Sequence, residues 1–591
     1  MQTLKEKREN RSDEQKKSIF GYGMYDWAKS AYETSVVTAI LPAWFTYLFI
    51  RTNGSAFTLL GDFTITADIA WAFATMASAM LIAFVSPALG IIADRTTIKM
   101  WMLRLFTIIG VVGTVALAIG GYLGAGAWLW VWVAYFFANL GLNGASVFYN
   151  AILPHMGDED EMDEISNKAF AYGYLGGGIL LLIHLVMVLS LSGDWVIPFT
   201  LVSSGLWWYG FAYYTFKHIP EPEVENPLEI TGIGHATKIA LSELRQTVKE
   251  ISKFKVLTIY MIAYFLFIDG INSVTALAGS FGSAVLGIDI GTLMLVIMIV
   301  QFVAAPAAIG FTKMAEATST KSALTMACVG WCVVVVLAVG FAPLELESHS
   351  EYDVQLTYNE TTGEYDVMTI SDPDDLFGGG ASDKAILEVF DTDAASLPTM
   401  KEGGSWPDDA IAGSISQTAI DSGFTGLFSD SRFSASIEGS PSSDSTTVGL
   451  DHPTNIGDEA GDGFAVWLRD NFWAPLSFTV STQFLMLGVM SGSLLGGSQG
   501  LARSLFCQII PETRSTEFFG FFGFFGKVAA FMGPLLYAFV GGFFGSRMAL
   551  VSIALLIVAG TLMLKAVDVE EGIRVAAEED LRNRGFYAEA E

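Results

Sequence analysis

Cysteine, histidine and charged residues are all scarce in this 591-residue chain. It has three cysteines and six histidines. Cys328 and Cys332 stand one helical turn apart and Cys507 lies in a separate apolar run, with no CxxC or His/Cys spacing near them. That pattern excludes a disulfide framework and a recognisable metal motif, and it suits small packing residues. No nucleophile–base pair or phosphate-binding loop stands out either. The expectation is a protein that is not an enzyme and carries no metal or cofactor.

Only 16% of residues are charged, against 52% hydrophobic. Apolar runs of 18 or more residues recur, each long enough to cross about 30 Å of hydrocarbon as a helix. The composition fits an all-α polytopic membrane protein whose main partner is the lipid bilayer, with no nucleic-acid role. The net charge of −29 is concentrated in one place: residues 345–470 hold 26 acids and 4 bases, leaving the remainder at −7. An acidic insert thus interrupts an ordinary membrane chain, and a solvated acidic surface is its simplest reading. Cation attraction or metal binding is the alternative.

Twelve spans are expected, at 20–50, 68–93, 100–122, 127–153, 167–191, 196–216, 256–285, 290–312, 322–343, 473–505, 516–542 and 546–566. Lys and Arg collect in the N-terminal tail (1–19), the second-to-third connection (Arg95, Lys99), the central loop (217–255), the eighth-to-ninth (Lys313, Lys321) and tenth-to-eleventh (Arg514) connections and the C-terminal tail (567–591). The intervening connections are almost bare of them. Such an asymmetry places both termini in the cytoplasm and the insert (344–472) outside. The charged N-terminus lacks a cleavable signal pattern. Within the insert, Val354 to Ile370 alternates around a Thr-Gly turn and reads as a β-hairpin. The run GSPSSDSTTVG reads as flexible linker.

The two six-span halves, 20–216 and 256–566, resemble each other. MYDWAKSAYE in span one lies over FIDGINSVTA in span seven, matching Asp26 with Asp269 and Ser30 with Ser273. YNAILP and FCQIIP close spans four and ten, and each is followed by a charged loop and a glycine-rich helix. A duplicated six-helix unit is a common transporter plan. Between spans two and three, GIIADRTTIK resembles the major facilitator superfamily signature of Gly, three residues, Asp-Arg and a basic cluster. Thr97 and Ile98 stand where that signature has Gly and its first basic residue. The resemblance implies a conformational latch at Gly90, Asp94, Arg95 and Lys99. The second-half counterpart, GFTKMAEATSTK, keeps Gly310 and Lys321 but lacks Asp-Arg.

YDWAKSAYETSVVTAILPAWF resembles the first-helix signature of the vacuolar effluxer branch of that superfamily. YNAILP, AYGYLGGGILLL, FLFIDGIN, QGLARSLF and EFFGFFGFFGKVAAFMGPLLY match further on, in order, across everything but the insert. The resemblance implies a major facilitator fold and alternating-access transport, with amino-acid efflux the best-known activity in fungi. It implies residence in the cell membrane, or the vacuolar membrane in a eukaryotic cell, and a monomer.

A charge at the centre of a membrane helix costs about 2.5–3.5 kcal/mol on insertion scales, yet span one holds Asp26, Lys29 and Glu33. At 100° per residue they fall within one sector, where they can neutralise one another to a net −1. Either they form an ion-pair network locking the helix, or they line a central cavity, as the carboxylate Asp269 beside Asn272 in span seven suggests. Lys527 falls near mid-membrane and needs a carboxylate, from Asp26, Glu33, Asp269 or a substrate. Asn143, Tyr149 and Asn150 on span four, with Gln499 and Arg503 on span ten, are polar candidates for substrate contact or for helix–helix bonding. His184 reads as a proton relay or a packing residue. GYLGGG permits close helix contact. The expected function is secondary transport of small polar solutes, foremost amino acids, by efflux or exchange, with protons as a candidate coupling ion. The alternative is a non-transporting sensor that uses the insert as its receptor.

Overall fold

The computed structural model describes residues 11–583 apart from 61–62, 96, 153–155, 157–161, most of 222–253, 370–412, 422, 458 and 512–514. The chain is mostly helical. Its first rod starts as α1 (Asp13–Ala31), loosens into a π-helical segment (Tyr32–Ile40) and resumes as α2 (Leu41–Asn53). Ser12 and Gln15 form a reciprocal capping box at its start, satisfying donors that the first helical turn leaves open. A short hairpin, β1 (Ala56–Leu60) and β2 (Phe63–Thr66), leads into α3 (Ala67–Arg95). Then come α4 (Lys99–Leu117), α5 (Ala127–Ile152), α6 (Met162–Ser190) and α7 (Val196–His218).

The second half repeats the plan with α8 (Lys255–Ala284), α9 (Ile290–Ala317) and α10 (Thr320–Val339) before the insert. After the insert run α13 (Val480–Gln508), α14 (Ser515–Phe544), α15 (Ser546–Lys565) and an amphipathic α16 (Val569–Asn583). Among the described residues, eight helices are long and apolar enough to cross a membrane.

Close helix contact rests on glycine. In α6 a Cβ at Gly176 would lie 2.5 Å from the Trp27 carbonyl oxygen, and one at Gly177 would lie 2.6 Å from Thr34 Oγ1. Only glycine lets α6 press this closely against α1 and the π segment. The α4 N-terminus is capped by Glu221, whose carboxylate accepts from the backbone N–H groups of Lys99 (2.5 Å) and Met100 (3.0 Å). Of the latch residues, Lys99 is buried at this capped end. Gly90, Asp94 and Arg95 fall in α3, but their side-chain surroundings lie outside the described residues.

The described residues of the insert form more regular structure than their composition suggests. Strands β3 (Val354–Asn359), β4 (Glu364–Thr369), β5 (Gly413–Ser416), β6 (Ser434–Glu438) and β7 (Ser445–Val448) form one sheet in the order β5-β4-β3-β6-β7. The expected hairpin is β3–β4, with Gly363 at φ +75° in its turn. GSPSSDSTTVG is not a linker. It turns at Gly439 and enters β7, which pairs antiparallel with β6 from Ser434↔Val448 to Ile437↔Ser445. Serine and threonine tolerate an exposed edge strand, so composition alone misled. Val354, Leu356, Tyr365, Val367, Phe428 and Ala435 form a small separate core, with the short α11 (Gln417–Asp421) beside β5. A short α12 (Asp462–Leu468) returns the chain to the bundle.

At the insert end of the bundle the two halves are in direct contact. Thr46 Oγ1 and Ser283 Oγ are 2.9 Å apart, joining the first rod to α8. Tyr537 of α14 donates to Asp68 Oδ2 of α3 at 2.6 Å. Phe63 stacks edge-on against Phe543, with ring centroids 4.9 Å apart.

Candidate functional site

Asp26 and Lys29 share one face of α1, and Glu33 is the second residue of the π segment. Lys29 Nζ sits 3.2 Å from Asp26 Oδ1 and 3.0 Å from Glu33 Oε2, bridging both carboxylates. The sector read from α-helical geometry therefore survives the change to π geometry. In a π turn the bonds run from i to i+5, and Thr38 Oγ1 also donates to the Glu33 carbonyl at 2.8 Å.

The triad is graded in access. The side-chain exposures are 8% for Asp26, 14% for Lys29 and 40% for Glu33. Tyrosines explain the closed end. Tyr149 donates to Asp26 Oδ2 at 2.9 Å and lies 3.0 Å from the Tyr22 carbonyl oxygen. Its ring stacks on Tyr22 and Tyr25, and the Tyr25 hydroxyl reaches Thr107 at 2.7 Å. Asp26 is thus a walled-in anchor, Lys29 a bridge and Glu33 the open end. Tyr174 of α6, which the sequence reading passed over, is 60% exposed and lies within electrostatic reach of all three charges.

The π segment also packs across the halves, against α8 and α9 as well as α6 and α7. Deeper in the first half, His184 bridges Ser35 Oγ (2.6 Å) and Ser203 Oγ (2.9 Å), so its imidazole is bonded within the helix packing.

In the second half, Asp269 is buried and accepts the Gly533 N–H at 2.9 Å through Oδ1. Its Oδ2 has no hydrogen-bond partner among the described residues. Asn272 is half-buried three residues on, so no cation there neutralises the carboxylate from its own helix. The Lys527 side chain lies outside the described residues.

Of the other candidates among the described residues, Tyr149 alone joins the triad. Asn143 bonds along its own helix to Asn139, at 2.8 Å to the carbonyl and 3.1 Å to Oδ1. Asn139 in turn donates to Ser78 at 2.7 Å, a polar seam between α3 and α5 that the sequence reading missed. Asn150, Gln499 and Arg503 are exposed. No group of three or more His, Cys, Asp or Glu among the described residues is placed to hold a metal ion.

Comparison with known proteins agrees with this architecture. Residues 14–345 and 463–577 match the family described as "Vacuole effluxer Atg22 like", leaving out the insert. An uncharacterised MFS-type transporter, YxiO of Bacillus subtilis, is 30% identical over 322 residues, 53% of this chain and 71% of that protein. Autophagy-related protein 22-1 of Phaeosphaeria nodorum is 31% identical over a shorter stretch of 105 residues, 17% of this chain and 19% of that protein. The crystal structure of a D-xylose-proton symporter superposes with a TM-score of 0.51 at 12% identity, covering 94% of this chain and 98% of that one, a likeness of fold. Matched by the family over residues 14–345 and 463–577, most of its length, this chain belongs to the Atg22-like vacuole effluxer family of MFS-type membrane transporters.

Proposed function

We propose that this transporter moves small polar solutes carrying an ammonium group, foremost amino acids, by alternating access between two six-helix halves. The observation that carries the reading is the graded triad: a net −1 cluster whose buried end is locked and whose open end is a carboxylate. A buried ion pair alone gains little from leaving one acid in excess. An excess carboxylate at an accessible position offers a cationic group the partner that Lys29 cannot supply twice.

In this reading the chain crosses the membrane twelve times with both termini in the cytoplasm, and the insert caps the exterior face. The contacts between the halves at the insert end then correspond to a state closed toward the outside. A transport cycle must break the Thr46–Ser283 and Asp68–Tyr537 bonds to open there. Asp269, whose Oδ2 has no hydrogen-bond partner among the described residues, is a second carboxylate able to exchange protons during that cycle, which would couple transport to a proton gradient.

The test is solute flux in proteoliposomes for the double variant Lys29→Met/Glu33→Gln, with melting temperature as the folding control. Because Lys29 also pairs with the enclosed Asp26, Asp26→Asn is added wherever the double variant melts early, so that no buried charge is left unpaired. A stable double variant without flux supports the reading. A stable one with wild-type flux overturns it.

A further inference from the structure

Between the insert sheet and α12, the chain from Asp451 to Asp462 touches both halves of the bundle. Its sheet end is pinned by Leu450 N–H to Ser429 O (2.9 Å) and by His452 Nε2, 3.3 Å from Asp353 Oδ2. Asp451 accepts from Ser55, just before the β1–β2 hairpin of the first half. Pro453 packs on Gly287, in the α8–α9 turn of the second half. Its far end is buried: Asp462 Oδ1 pairs with Arg547 NH1 at 3.1 Å, and Asp462 Oδ2 accepts the N–H groups of Gly457 and Glu459 at 3.0 Å each. Arg547 NH2 donates onward to the Phe341 carbonyl at 2.9 Å.

Glu459 lies at the centre of this segment. It is reached by solvent, yet its carboxylate turns in against the α14–α15 turn, so closely that a Cβ at Gly545 would lie 2.1 Å from Oε2. The groups that face it are Asp462 and Asp451 from its own segment, Asp68 from α3, Arg547 from α15 and the Tyr537 hydroxyl from α14. Asp68 and Tyr537 are themselves the bond that ties α3 to α14. A charged Glu459 therefore adds a fourth acid to Asp462, Asp68 and Asp451, with Arg547 as the one base among these neighbours.

We propose that the Asp451–Asp462 segment is a proton-sensitive strap across the insert end of the transporter, with Glu459 as its sensor. With Glu459 neutral, the strap lies against both halves and holds that end shut. With Glu459 charged, its repulsion with Asp68 works against the Asp68–Tyr537 junction and favours separation of α3 from α14. Partial burial of the carboxylate, then Asp462 and Asp68, hold the Glu459 carboxyl above the usual carboxylate range. Its neutral form is accordingly favoured, and it is lost as pH rises. Acid on the insert side closes the strap and alkali releases it. This deepens the alternating-access reading without depending on which solute is carried.

The experiment is pulsed electron–electron resonance on the full chain in nanodiscs, with Cys328, Cys332 and Cys507 replaced by serine and spin labels at Leu59 and Phe544, both exposed. Between pH 5 and pH 8 the long-distance population should rise about threefold, a modest shift for a two-state gate. Glu459→Gln should hold the short distance at both pH values, while Glu459→Asp, which still titrates, should keep the response. Ser55→Ala should raise the long-distance population at pH 5. An unchanged pH response in Glu459→Gln overturns the proposal, because the titrating group then lies elsewhere. A Ser55→Ala protein identical to wild type overturns the bridging role of the strap. Solute flux does not enter the readout, so failure here is distinct from failure of the transport reading.

Discussion

The carboxylate of Asp269 in α8 is hydrogen-bonded to the backbone of Gly533 in α14, and a Cβ on that glycine would stand 1.8 Å from Ser273 Oγ. The first half repeats the arrangement. There a Cβ on Gly173 would lie 2.8 Å from Ser30 Oγ and 3.5 Å from Asp26 Cβ. Each half thus presses a glycine of its fifth helix against an Asp and a Ser one turn apart on its first helix. The match of Asp26 with Asp269 and Ser30 with Ser273 is a match of packing sites, and the chemistry then diverges. Asp26 acquires Lys29 and Tyr149, and Asp269 keeps an oxygen with no hydrogen-bond partner among the described residues.

Gly533→Ala should therefore be costly. The methyl would meet the Ser273 hydroxyl and displace the N–H that serves Asp269, and overpacking of this kind costs about 1–3 kcal/mol. Gly178→Ala, on the GYLGGG helix with nothing within 4 Å of its Cβ position, should be neutral. Melting temperatures of the two variants in detergent decide it. Equal values would mean that α14 can shift away from α8 without cost.

The insert should be separable only in part. Replacing residues 350–448 with a Gly/Ser linker removes the sheet with its own core and the strap's sheet-end partners Asp353 and Ser429, but keeps the strap residues and their contacts with the bundle. Extending the deletion to 465 removes Asp462 and strands Arg547, whose side chain is only 6% exposed. Breaking a buried pair from one side costs about 3–5 kcal/mol. The shorter deletion should keep a monodisperse elution profile and the longer one should lose thermal stability. Adding Arg547→Met to the longer deletion should recover part of that loss.

Orientation can be read with impermeant thiol labels on intact cells. Once the native cysteines are replaced, a cysteine at Ser440, beside the turn into β7, should be labelled. One at Thr231, in the central loop with its six Lys and Arg, should not. The reverse pattern would put the insert in the cytoplasm and move the strap to the opposite gate.

Helix positions were legible because apolar runs and loop charge are properties of the sequence alone. The triad was legible because i, i+3 and i+4 spacing fixes which side chains meet on one rod. What escaped was whatever depends on a second element. Tyr149 was readable as a polar residue of span four, but its bond to Asp26 links residues 123 positions apart. Tyr174 sat in view inside GYLGGG, yet only the packing of α6 on α1 brings it beside the charges. The Asn139–Ser78 seam and the Glu221 cap likewise join separate helices. The strap was the least legible, since its acids are indistinguishable in composition from the acidic residues around them.

The grading of the triad makes a sharper prediction than the presence of its charges. Asp26 is enclosed, and its oxygens serve Lys29 and Tyr149. Asp26→Asn keeps an acceptor for Tyr149 but gives up a charge-assisted bond, the class that contributes about 1.5–3 kcal/mol. Its melting temperature should fall by several degrees. Glu33 is 40% exposed and makes one side-chain ion pair. Glu33→Gln should therefore change stability by less than about 1 kcal/mol, as exposed pairs do. If Glu33 holds the ammonium of the solute, the same substitution removes a charge-assisted contact and should lower apparent affinity by about tenfold or more. Flux against solute concentration, measured beside melting curves for both variants, separates the two effects. A Glu33→Gln protein with unchanged apparent affinity would make the whole triad a structural lock, and the solute site would then have to be sought around Asp269.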